Sequence, residues 1–334
     1  MSDQSAPLLA VEGLKKYYPV RGGIFGVKIG DVHAVDGVDF TLQPGETLGL
    51  VGETGCGKST LGRAIARLED PTAGRVMFEG QDLAHAKGET LFRLRRELQI
   101  IFQDPYSSLN PRMTVGEIVR EPLLVHRMGT KAEQVEQVRA LLQIVGLSGE
   151  MLERYPHEFS GGQRQRVSIA RALALNPKLV IADEPVSALD VSVRSQVLNL
   201  MVRLQRERHL TYLFISHDLS VVEHISDRIA IMYLGRIVEL GPAERIFAKP
   251  VHPYTRALIA AIPVPDPDQR HTGEPVRGEA PSPISPPPGC PFHPRCPYAI
   301  DACRTIVPAL EPVGSADLVA ARDHVAACIR KHEI

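Results

Sequence analysis

The sequence predicts an α/β core, a mixed sheet with helices, that carries an all-helical subdomain and leads into a small irregular Cys-rich C-terminal region. Three observations predict it. Short β-rich runs at 47–51, 98–102, 179–182 and 212–215 alternate with helical patterns across residues 1–250, as in sheets whose strands run parallel. The run 131–145 (KAEQVEQVRALLQIV) reads as an amphipathic helix ahead of Gly146, inside a helical insertion at about 105–175. From 263 to 288 the composition shifts to Pro, Gly and charge, too rich in proline for regular structure, and reads as an extended connector. The connector lies within an extension, 251–334, that follows the core at 1–250. After Asp190, Val193, Val197, Leu200 and Leu204 recur at helical spacing. No internal repeat is present, so the core occurs once.

With 334 residues, 44% of them apolar, the chain can bury one large core and a smaller appendage. Its 38 Lys and Arg nearly balance 39 Asp and Glu, giving a formal charge of −1 and no basic excess of the kind nucleic acid attracts. No nucleic-acid partner is expected. The opening MSDQSAPLLAVEGL has no basic stretch before an apolar core, and no run approaches the roughly 18 apolar residues that span a bilayer. The expectation is a cytoplasmic chain whose membrane role would come through partner subunits.

Two motifs carry the chemistry. Gly52-Glu53-Thr54-Gly55-Cys56-Gly57-Lys58-Ser59, followed by Thr60, fits G-x-x-x-x-G-K-[ST] between the apolar run TLGLV and the helical run LGRAIARLE. Glycines let such a loop wrap phosphates with backbone N–H groups, Lys58 reaches the β- and γ-oxygens, and Ser59 ligates Mg²⁺. Further on, KLVIADEP ends an apolar strand in Asp183 and Glu184, at the strand end where such sheets bind ligands. There Asp183 would hold the Mg²⁺ shell and Glu184 would polarise the attacking water. Cys56 reads as a small filler between the glycines.

FSGGQRQRVSIARAL lies between these motifs, with SALD and FISHD beyond them, and this ordered set resembles the ABC ATPase family over essentially the whole chain. HPYTRAL and GCPFHPRCPYAIDAC resemble the ATP-binding subunits of dipeptide and oligopeptide importers in particular. The resemblance implies an ABC-type P-loop ATPase using ATP and Mg²⁺, and assigns roles by position. Tyr18 of KKYYPV would stack on adenine, with Tyr17 the adjacent alternative. Gln103 would touch Mg²⁺ and water and link the nucleotide to the membrane subunits, and His217 would meet the γ-phosphate. The signature, Ser160, Gly161, Gly162 and Gln163, would act on ATP held by a partner subunit, with Asp190 at the dimer seam. Phe159 stands where the family's commonest form has Leu.

As a whole the resemblance implies an ATP-hydrolysing subunit that energises import of di- and oligopeptides. It would sit on the cytoplasmic face of the cell (inner) membrane, held peripherally by two permease subunits. A second ATP-binding subunit, favoured as a heterodimer, and an extracytoplasmic substrate-binding protein would complete the assembly. Two rivals stay open on the residues alone: a soluble ABC ATPase acting on nucleic acid or ribosomes, and a chain serving iron–sulfur assembly. The transported solute is not encoded here, because the selecting surfaces belong to other subunits.

Cys290, Cys296, Cys303 and Cys328 have the spacing C-x₅-C-x₆-C-x₂₄-C. Four thiolates suit a 4Fe-4S cluster or a tetrahedral Zn²⁺, and free thiols remain a third reading. The resemblance favours the cluster. Pro291, Pro294 and Pro297 stiffen these loops, and His293 reads as a surface residue more than a substitute ligand.

Overall fold

In the computed structural model, residues 6–22, 26–262, 278–314 and 324–334 are described; the first part of the expected connector, 263–277, lies outside the described residues. The chain opens with two long strands, β1 (Leu9–Gly22) and β2 (Val27–Leu42), the second ending in strict alternation with Val38, Phe40 and Leu42 buried. Then come β3 (Thr47–Val51), α1 (Lys58–Ile65), β4 (Ala73–Phe78) and β5 (Gln81–Asp82). The middle holds α2 (Gly88–Glu97), β6 (Leu98–Ile101), α3 (Pro105–Ser108), α4 (Val115–Val125), α5 (Lys131–Ile144) and α6 (Gly161–Leu173). Beyond it lie β7 (Leu179–Asp183), α7 (Val191–Arg208), β8 (Thr211–Ser216), α8 (Leu219–Ile225), β9 (Arg228–Tyr233) and β10 (Arg236–Pro242). The tail adds α9 (Ala243–Ala248), α10 (Pro253–Ala260), β11 (Glu311–Pro312) and β12 (Val325–Ala326).

These elements cluster into two compact units. One contains residues 42–46 and 85–215. Its strands β6, β7 and β8 run parallel, with Leu98 opposite Leu179 and Leu179 opposite Thr211. All residues of β7 and β8 are buried, which is why LVIAD and TYLFIS read as near-continuous apolar runs: parallel strands covered on both faces show no alternation. Helices α3 to α6 lie in this unit, and α4, α5 and α6 each open with a capping box, Thr114/Glu117, Thr130/Glu133 and Ser160/Gln163.

The other unit contains residues 9–41, 47–84 and the chain from 216 onward. Here β3 pairs parallel with β9, and β9, β10, β12 and β11 follow in antiparallel order. A separate sheet has the order β2-β1-β4-β5. Residues 278–288 are irregular, as the proline content requires, and the Pro283 carbonyl accepts from His33 N at 3.0 Å. Among the described residues no helix is long and apolar enough to cross a membrane.

A buried polar knot ties the tail to β10. Glu239, with no exposed surface, accepts the backbone N–H groups of Val251 and His252, each at 2.8 Å, and its Oε1 lies 2.7 Å from His324 Nε2. Burial pulls the carboxyl upward, but hydrogen bonds from His324 and the two backbone groups outweigh it and hold it below the usual range. His252 caps α10, its Nδ1 accepting from Tyr254 N at 3.2 Å, and burial pushes its imidazole down to about 4 against the pull of Glu239. An unfolded histidine takes up its proton near pH 6.5, whereas His252 in the fold resists until about 4, so stability falls as pH drops through that window. Thermal melts at about pH 7.5 and about pH 5 should show the wild type losing several degrees more than His252→Asn, which keeps a cap acceptor without the titration. Equal losses would remove His252 as the cause.

Candidate functional site

The phosphate-loop residues lie where β3 hands over to α1. Two glycines are required by close packing. A Cβ on Gly52 would stand 2.1 Å from the Met232 carbonyl oxygen, and one on Gly57, at φ +108°, would stand 1.9 Å from that of Ala34. Gly55 also takes a left-handed φ, +82°. The loop closes through Cys56 N to Glu53 O at 3.2 Å and is anchored by Gly235 N to Cys56 O at 2.9 Å. Lys58 is only 4% exposed, and its Nζ donates to the carbonyls of Gly52 at 2.7 Å and Glu53 at 3.0 Å. The Cys56 thiol is buried beside it, and burial raises its pKa, so it stays protonated and serves as filler. Ser59 and Thr60 form the first turn of α1.

Tyr17 and Tyr18 point to opposite faces of β1. Tyr17 stacks on His33, centroids 4.2 Å apart, and its hydroxyl donates to Asp36, which Arg236 grips through a second bond at 2.6 Å. Tyr18 donates to Glu69 and is within hydrogen-bonding reach of Thr60, with Lys16 Nζ 4.8 Å from its ring centroid. Burial, then the Glu69 carboxylate, pushes the Tyr18 hydroxyl up to about 12, so it is a neutral ring beside the phosphate loop. In the same unit His217 is exposed just past β8, ahead of α8, which Asp218 caps by accepting from Ser220 N at 3.0 Å.

The other unit holds the acidic pair. Asp183, 1% exposed, ends β7 opposite Ile215. Glu184 follows at φ +46°, a left-handed conformation unfavourable for a non-glycine residue, pinned by its N–H donating to Ile215 O at 2.9 Å. That turn presents the carboxylate to Gln103, whose Nε2 donates to Glu184 Oε2 at 2.8 Å. The structure therefore joins two residues that the sequence holds far apart.

The signature occupies the start of α6. Ser160 is the N-cap, accepting from Gln163 N at 3.4 Å, and Gln163 Oε1 accepts from Ser160 N at 3.0 Å. Gly162 has a packing reason: a Cβ there would fall 2.2 Å from Val193 Cγ1 of α7. Gly161 is free of that constraint, its nearest neighbour being Leu189 Cδ2 at 3.6 Å. Asp190 is exposed at the N-cap of α7 without a side-chain capping bond.

In the tail, Cys290, Cys296, Cys303 and Cys328 line one small cavity. Burial raises the thiols of Cys290, to about 11, and of Cys296 and Cys328, while N–H groups two residues on, those of Phe292, Tyr298 and Arg330, bond the three sulfurs and oppose the rise. Among the described residues, however, no group of three or more His, Cys, Asp or Glu is arranged to hold a metal ion, so the expected iron–sulfur or zinc centre gains no support as a preformed ion site.

Two residues that the motif reading did not assign to the site abut the phosphate loop. Tyr254 Oη accepts from Glu53 N at 2.9 Å, and Arg295 forks onto the Glu53 carboxylate at 2.8 and 3.0 Å. Their signals were HPYTRAL and GCPFHPRCP, both recognised as segments without a link to the loop. Tyr233, Tyr254 and Phe292 pack as an aromatic cluster beneath this contact, with centroids 4.7 to 5.4 Å apart.

The ABC transporter family matches residues 35–187, and the family described as the oligopeptide/dipeptide transporter C-terminal region matches 238–303. A probable peptide ABC transporter ATP-binding protein of Sinorhizobium fredii is 57% identical over 95% of this chain and 90% of its own length. The chain belongs to the ABC transporter ATP-binding family. An oligopeptide transport ATP-binding protein of Bacillus subtilis is 53% identical to this ABC ATPase, over 94% of the chain and 96% of the relative. A dipeptide transport ATP-binding protein of Haemophilus influenzae is 52% identical over 95% and 97%. Among solved structures, a dimeric ATP-binding cassette in a post-hydrolysis state with ADP and Pi aligns over 70% of this ABC ATPase and 98% of itself, at TM-score 0.62 and 28% identity. Fold and family agree with the motifs, and as an ABC ATPase the chain binds and hydrolyses ATP with Mg²⁺.

Proposed function

We propose that this ABC ATPase energises import of di- and oligopeptides as the peripheral ATP-hydrolysing subunit of a membrane transporter. The observation that carries this reading is the tail, which matches the oligopeptide/dipeptide transporter C-terminal region over 238–303 and extends to a contact with the phosphate loop at Glu53. In the assembly this chain would sit on the cytoplasmic face of the membrane against two membrane-spanning permease subunits, with a second and related ATP-binding subunit and an external peptide-binding protein. Co-expression with neighbouring permease genes tests it. Membrane subunits should co-purify, and ATPase activity should rise when peptide-loaded binding protein is added. A chain that stays soluble and is stimulated by nucleic acid or ribosomes would replace this reading with a soluble ABC function.

The nucleotide cradle fits ATP: its glycine walls admit no side chain at Gly52 or Gly57, and Lys58 presents a buried cation. Backbone N–H groups of 52–60 and Lys58 would bind the phosphates, with Ser59, Gln103 and Asp183 as Mg²⁺ ligands. Tyr18 would take the adenine, since Tyr17 already has one face covered by His33. Glu184 would accept the proton of the attacking water while Gln103 orients that water and His217 donates to the γ-phosphate. Ser160, Gly161, Gly162 and Gln163 would serve ATP bound to the partner subunit, with Asp190 at the seam. In that use the capping role of Ser160 and Gln163 persists, leaving the helix N-terminus to face the phosphate.

The resemblance supports a 4Fe-4S cluster as the occupant of the cysteine cavity: Cys290, Cys296, Cys303 and Cys328 line one space and would be its ligands, and backbone N–H groups at three of them would favour the thiolate. Bound there, a cluster would supply iron–thiolate bonds that cross-link three tail segments. Anaerobically purified protein should contain about four irons per chain, and Cys296→Ser should lower the content. Stoichiometric zinc without iron would overturn this assignment.

A further inference from the structure

A carboxylate in a phosphate loop opposes its ligand, because ATP brings several negative charges to the same backbone. Glu53 directly follows Gly52 and its own carbonyl already accepts from Lys58 Nζ at 3.0 Å. Its side chain is not left facing the loop as a bare anion. Both carboxylate oxygens are taken by the two arms of Arg295, at 2.8 and 3.0 Å, in a planar fork that satisfies charge and direction together. The Arg295 side chain is only 7% exposed and packs its guanidinium near the Tyr233 ring, 5.8 Å from its centroid, so solvent screens the pair weakly. Arg295 is carried by the single helical turn His293–Arg295, between Cys290 and Cys296, and the turn is fixed by Arg295 N donating to Phe292 O at 3.0 Å and Cys290 N to Cys303 O at 2.8 Å. The counter-ion of the loop thus comes from the cysteine-bearing segment.

We propose that Arg295 is a positioning residue for ATP binding: it neutralises Glu53 inside the phosphate loop, so the cysteine-bearing segment sets the affinity for nucleotide. The proposal rests on the loop taking ATP. Four variants of the full-length chain separate charge from architecture, with Mg²⁺-ATP as the probe in a calorimetric titration. Arg295→Gln keeps amide donors toward Glu53 but removes the positive charge, and ATP affinity should fall about tenfold, less so near 1 M salt, where repulsion is screened. Turnover at saturating ATP should change by less than about twofold, so the effect lies in KM. Arg295→Lys keeps the charge without the fork and should bind within about threefold of wild type. In the double variant Arg295→Gln/Glu53→Gln the bare carboxylate is gone, and affinity should return to a similar range. Arg295→Met serves where the glutamine variant fails to fold, judged by its melting temperature. The proposal is overturned by wild-type affinity in Arg295→Gln, by equal losses in the Lys and Gln variants, or by a double variant as weak as the single. Wild-type chain that takes up no ATP would instead overturn the nucleotide reading of the loop.

Discussion

Replacing Glu184 by glutamine should arrest turnover while leaving ATP in place. The backbone is fixed by the left-handed φ of +46° and the bond from Glu184 N to Ile215 O, and the carboxylate accepts from Gln103 Nε2 at 2.8 Å. Glutamine fits the same turn and can still bond Gln103 through its carbonyl oxygen, so geometry survives. What it loses is the ability to accept a proton from water, a step worth about 10²–10⁴ in rate. The kcat should fall at least about a hundredfold without a rise in KM for ATP. Gel filtration of the variant with ATP should reveal a persistent dimer, homo- or heteromeric, that the wild type forms only briefly. Rapid hydrolysis by the assembled Glu184→Gln complex would remove Glu184 from the chemistry.

Lys58→Ala should act at the opposite end of the reaction. Its ammonium is almost fully buried and bonded to two loop carbonyls, so its position is set before nucleotide arrives. Charged hydrogen bonds are worth about 1.5–3 kcal/mol each, and losing two toward phosphate should weaken ATP binding by about a hundredfold or more. The variant should also melt a few degrees lower, because the Gly52 and Glu53 carbonyls lose their donor. Titration with Mg²⁺-ATP reads the first effect and calorimetry the second. Wild-type affinity and turnover together would end the phosphate-loop assignment.

Much of the core was legible because buried parallel strands leave a plain trace. TLGLV, LVIA and YLFI are apolar runs with no polar face to disguise them, and helix 131–144 was legible from its amphipathic pattern ahead of Gly146. β1 and β2 gave little warning. KKYYPVRG mixes charge and aromatics, since its strand has only partly covered faces, and the alternation of β2 begins only near Val35. At the site, motif spacing named Lys58, Asp183, Glu184 and Gln103, but it held no signal for the hydrogen bond from Gln103 to Glu184, which depends on the twist after β7. Arg295 and Tyr254 escaped for a similar reason. They reach Glu53 across 242 and 201 residues of sequence, and such contacts follow from topology, not local pattern. Conversely, Ser160, Gly162 and Gln163 have local tasks of capping and packing that the motif alone did not separate from ligand binding.

The short strand β12 has a consequence for expression and design. Its pairing of Val325 with Leu240 and Ala326 with Glu239 covers one side of β10, and β11 continues outward from it with exposed Glu311. A chain cut before residue 311 would present β10 as an open sheet border, ready to recruit another strand, with the Glu239 carboxylate stripped of its imidazole partner. Such truncations should therefore be lost to self-association before any question of ATP turnover arises. The two short strands β11 and β12 act as a selvedge, the finished margin that keeps the sheet from being extended by a neighbour.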